Sequence, residues 1–475
     1  MISIGKDRVG VVLEQNGSQS SIHRDDLYNH YKNKISINSD LTRSLVSFQA
    51  NKKMPFYRWL KYKEAFSQEL VEYIIDKFRP SKSQPTLLDP FAGIGTALTT
   101  ATKKGWHAVG IELLPIGIEA MNARLVADTV NINKFENYLN KLKSMQVDFE
   151  KLGFKFQHVN ITRGAFPEDT ELALSAYANF LEGISEADIR LLFRFACMAI
   201  LEEISYTRKD GQYLRWDCRS GKSTRSKFSK GKISEFRSAI LRELELILRD
   251  IKTLRNGGTF SHNAEIIQGS CLNELLKISG GTFDLVITSP PYCNRYDYTR
   301  TYALELAYMQ HTEQDIKALR QELLSATVEN RSKRNELKKQ YQLLDKERTF
   351  DNALEIFNNQ QALHEVLRIL NDNRSNLNNP NIPRMVENYF FEMNLVIHEL
   401  SRVLADGGKV VMVNDNVQYF GEEVPVDLIL SDFAAHAGLF IEDIWILPKG
   451  KGNSSQQMGI HGRKEMRKCI YVWSK

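Results

Sequence analysis

The chain has 475 residues, about three times the length of a typical domain, so two or more structural units are expected. Hydrophobic residues make up 42% and charged residues 25%, as in a soluble globular protein, and no apolar run approaches the ~18 residues of a membrane helix. Charges near the N-terminus argue against a signal peptide. The net charge of +5 permits a polyanionic partner without requiring one.

Five cysteines, at positions 197, 218, 271, 293 and 469, are scattered without a C-x-x-C pair. This spacing argues against a zinc ribbon and against a disulfide framework, and it fits a reducing compartment. We therefore predict a cytoplasmic protein with no metal site.

The first 50 residues are polar with little periodicity and indicate an extension or a loosely packed cap. From residue 51 the character changes, because residues 56–67 mix aromatic and basic side chains. Ser67 is the predicted N-cap of a helix whose apolar residues are Leu70, Ile74 and Phe78.

Residues 86–112 predict a strand, a glycine-rich turn, a helix and a second strand that ends in an acid. In the turn, DPFAGIGT at 89–96, Gly93 and Gly95 let backbone N–H groups approach a ligand at the start of the helix. Glu112 follows Gly95 by roughly 20 residues, which places a carboxylate where it can accept the two hydroxyls of a ribose. The pattern predicts a nucleoside-binding unit, and no G-x-x-x-x-G-K-[ST] phosphate loop is present.

Between residues 126 and 262 this alternation of strand and helix stops, and 187–204 and 233–254 are predicted to be amphipathic helices. The segment between them, 205–232, carries nine Lys/Arg against two Asp. Its aromatic side chains offer stacking surfaces for exposed nucleobases, and its Lys and Arg side chains suit contacts with a phosphate backbone. The alternative is a solvated charged loop. The predicted nucleic-acid contacts in this segment are Arg208, Lys209, Tyr213, Arg215, Trp216 and Arg219.

The motif TSPPY at 288–292 follows an apolar run, 283–287, that predicts a short buried strand. Two prolines cannot continue a strand ladder, so the chain leaves the sheet in a fixed direction. The Ser289 oxygen and the Pro290 carbonyl can accept both hydrogens of an amine while Tyr292 stacks on its ring. The alternative is an ordinary Pro-Pro turn after a strand.

The remaining pattern completes an α/β fold. A strand at 264–268 ends in Gly269-Ser270, and 311–382 is charge-rich and predicted to be helical. A helix at 385–404 precedes strands at 409–414, 440–447 and 469–473.

The two motifs DPFAGIGT and TSPPY together resemble the S-adenosylmethionine-dependent amino-methyltransferases of DNA, which act on cytosine N4 or adenine N6. Serine before Pro-Pro-Tyr is commonest in the cytosine-N4 subgroup, whereas the adenine-N6 subgroup more often has Asp or Asn. The resemblance implies a Rossmann-like sheet with two largely helical insertions. It also implies the catalytic residues Ser289, Pro290, Pro291 and Tyr292. The cofactor-binding residues that it implies are Tyr62, Phe66, Asp89, Phe91, Gly93, Gly95, Thr96, Glu112 and Ser270.

The resemblance covers 51–125, 263–310 and 383–475, which we predict to form the catalytic core. Residues 1–50 are an N-terminal extension, 126–262 the predicted target-recognition insertion, and 311–382 a helical insertion. This order departs from the common arrangements of the family, in which the recognition region lies between large motif blocks or at the C-terminus. The basic aromatic segment favours 126–262 over 311–382 as the reader of DNA.

The implied function is transfer of a methyl group from S-adenosylmethionine to cytosine N4 in duplex DNA, with the base flipped out of the helix. Asn294, Arg295 and Tyr296, just after the catalytic motif, are predicted to contact nucleic acid. In the covalent C5-methyltransferases the nucleophilic cysteine follows a proline, whereas Cys293 follows a tyrosine. Cys293 is therefore not predicted to be a nucleophile. The resemblance also implies a restriction-modification setting with a cognate endonuclease.

Three other functions are compatible with these residues. Two are enzymatic: an adenine-N6 DNA methyltransferase, and an RNA guanine-N2 methyltransferase, whose loop more often has Asp before Pro-Pro-Tyr. The third is a catalytically silent nucleic-acid-binding protein, which the intact Gly93, Gly95 and Glu112 disfavour.

Overall fold

A central eight-stranded sheet organises the computed structural model, which describes residues 21–145, 156–210, 213–222, 227–257, 263–448, 451–452 and 465–475. In sheet order the strands are β1-β11-β14-β8-β7-β2-β3-β6, and β14 alone among these runs antiparallel to its neighbours. The strand bounds are β1 Ile35–Ile37, β2 Thr86–Asp89, β3 His107–Glu112, β4 Thr207–Asp210, β5 Tyr213–Trp216, β6 Ala264–Gln268, β7 Phe283–Thr288, β8 Leu404–Asp415, β9 Val417–Tyr419, β10 Glu422–Val424, β11 Phe440–Ile446, β12 Lys451–Gly452, β13 Glu465–Met466 and β14 Lys468–Ser474.

Helices cover both faces of the sheet. Their bounds are α1 Ile22–Tyr31, α2 Gln68–Lys77, α3 Thr96–Lys103, α4 Pro115–Val126, α5 Ile132–Ser144, α6 Glu168–Glu182, α7 Ala187–Ile200, α8 Phe236–Gly257, α9 Cys271–Glu274, α10 Tyr298–Thr301, α11 Ala303–Tyr308, α12 Glu313–Glu322, α13 Arg334–Leu343, α14 Glu347–Asn359, α15 Gln361–Asp372, α16 Ile382–Val403 and α17 Val426–His436. Within the described ranges, none of these helices combines the length and apolarity needed to cross a membrane.

The apolar runs of the central strands follow from burial on both faces. Alternate residues point to opposite sides, so Leu88 and Val286 join the core beneath α16 and α17. Their neighbours Leu87 and Leu285 join the core beneath α2 and α3. The predicted α/β class with a mostly parallel, Rossmann-like sheet is confirmed.

The N-terminal segment is not a loosely packed cap in its described part. Strand β1 extends the sheet by pairing parallel with β11, and α1 packs against α15. Arg24 on α1 is buried and pairs with Glu365 at 2.6 Å and with Glu422 at 2.9 Å. A three-residue strand has no measurable periodicity, and its partner lies some 400 residues away, so the sequence gives no signal for this pairing.

The first insertion, 126–262, is helical except at its basic segment, where β4 and β5 form an antiparallel hairpin. Its helices share one apolar cluster with α10 and α11, the elements that follow the TSPPY motif. The second insertion, 311–382, consists of α12 to α15 and joins the core beneath α16. Both insertions therefore pack directly against elements of the predicted catalytic core.

Candidate active site

The two motifs meet at the carboxyl ends of neighbouring parallel strands. Asp89 ends β2 and Thr288 ends β7, and the Thr288 hydroxyl donates to Asp89 Oδ1 at 2.8 Å. Ligands of open α/β sheets bind beyond this edge of the strands. The glycine-lined and proline-stiffened loops therefore open side by side at one edge of the sheet.

The glycine-rich loop depends on left-handed backbone at two positions. Gly93 has φ +54° and Gly95 has φ +73°, conformations that other residues rarely adopt. A Cβ at Gly95 would also lie 2.5 Å from Met121 Cγ on α4. The Gly93 N–H donates to Glu112 Oε2 at 2.6 Å, so the acid that ends β3 holds the loop directly.

A cleft enclosing about 720 Å³, part of it open to solvent, lies above this loop. Every predicted cofactor-binding residue except Gly95 lines it, and so do Ser289 and Pro291 of the catalytic motif. Gly95 lies behind the loop as the N-cap of α3. The Thr96 hydroxyl in the wall is buried without a hydrogen-bond partner among the described residues, so this atom remains available to a ligand.

Two buried acids give the cleft its electrostatic character. Burial raises the pKa of Asp89 to about 7, although the hydrogen bonds from Thr288 and the Phe91 N–H act to lower it. Burial also raises the pKa of Glu112 to about 7, although Leu114, Gly93 and Leu113 donate backbone hydrogen bonds to it. Acceptor-rich acids of this kind suit neutral hydroxyl and amine donors.

The cleft is also lined by residues that the sequence analysis did not predict as site residues, among them Glu64, Tyr298, Leu323 and Leu324. Glu64 lies inside the aromatic and basic stretch 56–67, and it accepts hydrogen bonds from Tyr296 and, at 2.6 Å, from Tyr302. The two leucines belong to the second insertion, and the Ser270 hydroxyl donates to the Glu322 carbonyl at 3.0 Å. No pattern in the sequence connects an insertion to a cleft formed some 200 residues earlier.

The catalytic motif forms a compact turn at the mouth of the cleft. The Ser289 hydroxyl donates to the Tyr292 oxygen at 3.2 Å. Cys293 is fully buried, burial raises the pKa of its thiol, and its carbonyl accepts from the Tyr419 hydroxyl at 2.7 Å. These surroundings agree with the prediction that Cys293 is not a nucleophile.

The three residues that follow Cys293 have different surroundings. Asn294 accepts from the Tyr296 N–H at 3.2 Å, and Arg295 has φ +67°, which is unusual for a non-glycine residue. The Tyr296 hydroxyl is bonded to Glu64, so this side chain turns toward the cleft. The predicted contacts of Asn294 and Arg295 with nucleic acid stay predictions, and the placement of Tyr296 does not favour one.

The basic hairpin presents part of its charge to the outside. Arg208 and Arg215 are directly opposite each other across β4 and β5. Arg208 is exposed and has no ion-pair partner among the described residues, whereas Arg215 reaches Asp210 at 3.1 Å and lies 4.2 Å from the ring of Phe228. The Tyr213 side chain lies outside the described residues.

Two of the predicted contacts in this segment have partners within the protein. Arg219 forms a bidentate pair with Asp217 at 2.7 and 2.8 Å. Lys222 lies 4.0 Å from the centroid of the Trp216 ring.

The prediction that Lys209 contacts DNA is wrong for this structure. Its side chain is buried, pairs with Glu305, and lies 4.3 Å from the centroid of the Tyr302 ring. Successive residues of a strand face opposite sides, so when Arg208 points to solvent its neighbour must point inward. Lys209 instead attaches the hairpin to α11.

Comparison with known proteins places the chain in a family. No family model matches it. It is 45% identical over 460 residues to the Type II methyltransferase M.AvaI of Nostoc sp. (strain PCC 7120 / SAG 25.82 / UTEX 2576), over 94% of this chain and 92% of that protein, with the same values for M.AvaI of Anabaena variabilis. It is 41% identical over 451 residues to the Type II methyltransferase M.BsoBI of Geobacillus stearothermophilus, a match that covers 91% of this chain and 88% of that protein. With the cleft described above and identity extending over nearly its whole length, the chain belongs to the Type II methyltransferase family.

Proposed function

We propose that this enzyme transfers a methyl group from S-adenosylmethionine to the N4 amine of cytosine in duplex DNA. The observation that carries the proposal is the position of the Ser289–Tyr292 turn, whose Ser289 and Pro291 line the same cleft as Asp89 and Glu112. The serine in this motif, as in the cytosine-N4 subgroup that the chain resembles, supports cytosine as the target. The names of the relatives support a role as the modification enzyme of a restriction-modification system, with a cognate endonuclease as partner.

The cleft has the donor and acceptor set that S-adenosylmethionine requires. Glu112 would accept the ribose hydroxyls, and Tyr62 and Phe66 would cover the methionine end. The free hydroxyl of Thr96 supplies a further donor and acceptor beside the loop. When bound, the cofactor supplies an electrophilic methyl group on a sulfonium centre.

The protein's part in the reaction is to prepare the amine. The lone pair of the cytosine amine is delocalised into its ring, so the amine is a weak nucleophile. Hydrogen bonds from its two hydrogens to Ser289 Oγ and the Pro290 carbonyl would favour a pyramidal nitrogen and restore the lone pair. The nitrogen must then lie in line with the methyl group at about 3–3.5 Å. No strong base is required, because the amine proton becomes acidic as the methyl group transfers.

A base inside a duplex cannot enter a cleft at the edge of a sheet, so the target must be flipped out. Tyr292 is the aromatic residue of the turn on which the flipped ring would stack. The basic hairpin of the first insertion supplies the phosphate contacts. Like charges directly opposite in a hairpin are destabilising. Asp210 compensates the charge of Arg215, and a DNA phosphate would compensate that of Arg208.

The test is nucleoside analysis by mass spectrometry of duplex DNA incubated with the enzyme and S-adenosylmethionine. We expect N4-methylcytosine, and we expect Ser289→Ala to lower the single-turnover rate by about two orders of magnitude, the scale of a preorganised hydrogen bond in an active site. Ser279→Ala, a hydroxyl loss in an exposed turn of the same core, serves as the control and should be neutral.

Other products would identify the other functions. N6-methyladenine alone would move the enzyme to the adenine subgroup, and methylation of RNA but not DNA would indicate a guanine-N2 enzyme. DNA binding without measurable cofactor affinity would contradict the proposal entirely.

A further inference from the structure

A largely enclosed lysine lies beside the catalytic turn. Lys468 begins β14, where its register partner is Asp415 at the end of β8. The two side chains pair at 3.2 Å and are 12% and 13% exposed. The Lys468 Nζ lies 5.5 Å from the centroid of the Tyr292 ring.

The Tyr292 hydroxyl connects the Lys468–Asp415 pair to Ser289, the residue proposed to bind the target amine. A phenol oxygen can donate one hydrogen bond and accept others, whereas an ammonium can only donate. In the structure the Ser289 hydroxyl is the donor and the Tyr292 oxygen the acceptor. A serine that gives its hydrogen to Tyr292 keeps its lone pairs for another donor.

We propose that Lys468, held by Asp415, is a positioning residue that orients the Tyr292 hydroxyl as an acceptor, so that Ser289 turns its hydrogen away from the target amine and presents its lone pairs to it. This inference rests on the proposed methyl transfer at Ser289. Without the cation, Tyr292 is free to donate to Ser289, which would occupy a lone pair and point the serine hydrogen at the amine.

The charge state of the lysine fits this role. Burial opposes its charge, but attraction to Asp415 and Tyr292 raises the pKa of Lys468 above its usual value, so it is an ammonium at neutral pH. Burial raises the pKa of Tyr292, with Lys468 acting in the opposite direction, so the tyrosine remains a neutral phenol. A lysine this enclosed and paired is poorly suited to the alternative role of a DNA phosphate contact.

The experiment is a double-mutant cycle with the full-length enzyme on duplex DNA. Single-turnover rates and equilibrium binding of DNA and S-adenosylmethionine are measured for wild type, Lys468→Met, Tyr292→Phe and the double variant. We expect Lys468→Met to lower the rate by about ten-fold with both affinities unchanged, and to have almost no further effect when Tyr292 is already Phe. Lys468→Arg, which keeps the charge, should recover most of the rate.

Each contrary result has a distinct meaning. An equal rate loss in the Tyr292→Phe background would overturn the proposal, because the lysine would then act by another route. A normal rate with weaker, more salt-dependent DNA binding would make Lys468 a phosphate contact instead. If Ser289→Ala leaves the rate intact, the proposed function itself fails, whatever the lysine does.

Lys468→Met leaves Asp415 without its partner, so folding must be controlled. The double replacement of Lys468 by Met and Asp415 by Asn removes both charges together and is the appropriate second variant. Melting temperatures near that of wild type, with the same ten-fold rate loss, would support the proposal. A normal rate in a folded charge-free variant would contradict it.

Discussion

At the scale of single residues, the site rests on carboxyl groups that are costly to ionise. Asp89 is 1% exposed, and its Oδ1 accepts from both the Thr288 hydroxyl and the Phe91 N–H. Those two bonds do not compensate fully for burial, which raises its pKa from 3.8 to about 7. The motif alone places the acid at the strand end. Its protonation is decided by neighbours that are close only in the folded chain.

This shift predicts how stability changes with pH. The folded protein holds the Asp89 proton more tightly than the unfolded chain, so the free energy of unfolding falls as pH rises from about 4 to about 7, and the loss is complete above pH 7. Asp89→Asn keeps an oxygen for both hydrogen bonds and removes the charge. We expect its melting temperature to fall less than that of wild type between pH 5 and pH 8, by about 1 °C per kcal/mol removed for a chain of this length.

The matched control for this measurement is Asp406→Asn, a carboxyl loss at an exposed position near the start of β8. It should follow the wild-type profile. Identical profiles for Asp89→Asn and wild type would show that Asp89 ionises normally in the folded protein.

At the scale of elements, the β4–β5 hairpin has two faces with different surroundings. Its outer face carries the Arg208–Arg215 pair, and its inner face attaches to α11 through Lys209 and Glu305. Composition identifies the basic segment as a candidate nucleic-acid interface, and that role stays a prediction. It cannot separate outward from inward residues until the strand register is known, which is why Lys209 was misassigned.

The two faces predict different losses. Arg208→Ala should weaken DNA binding and lower the slope of log affinity against log salt concentration by about 1, because one phosphate contact is removed. Lys209→Met should leave that slope unchanged but lower the free energy of unfolding by about 3–5 kcal/mol, because Glu305 keeps a buried charge without its partner.

DNA-binding titrations at several salt concentrations test both expectations. Arg368→Ala removes the same charge from an exposed position on α15 of the second insertion and is the control. A lower salt slope for Arg368→Ala, together with an unchanged slope for Arg208→Ala, would indicate that the second insertion contacts the DNA instead.

At the scale of the whole molecule, the order of the chain conceals how its parts assemble. The catalytic core could be predicted because each strand, turn and motif is a local pattern, and parallel strands bring their carboxyl ends to one edge. Strand β1 and the leucines of the second insertion could not, because their roles exist only through contacts with distant segments. Arg24 illustrates this, since a lone arginine in a polar stretch gives no sign of its buried partners Glu365 and Glu422.

The N-terminal segment should therefore matter for the stability of the whole fold. Glu365 is only 3% exposed, and Arg24→Met would leave its carboxylate without a cation. We expect a clear drop in melting temperature, because a buried charge without its partner is destabilising. Arg43→Met, an exposed arginine in the same segment, is the control. Equal melting temperatures for the two variants would show that α1 does not contribute to the cooperative unit.

The wall formed by Leu323 and Leu324 has a consequence for inhibitor design. These side chains reach the cleft from an insertion that is anchored to α16, where Ser325 and Lys333 both contact Glu392. A nucleoside analogue extended toward them would bury apolar surface that a methyltransferase lacking this insertion does not offer. Selective compounds for this family should therefore be sought by growing outward from the side of the cleft where Ser270 contacts Glu322.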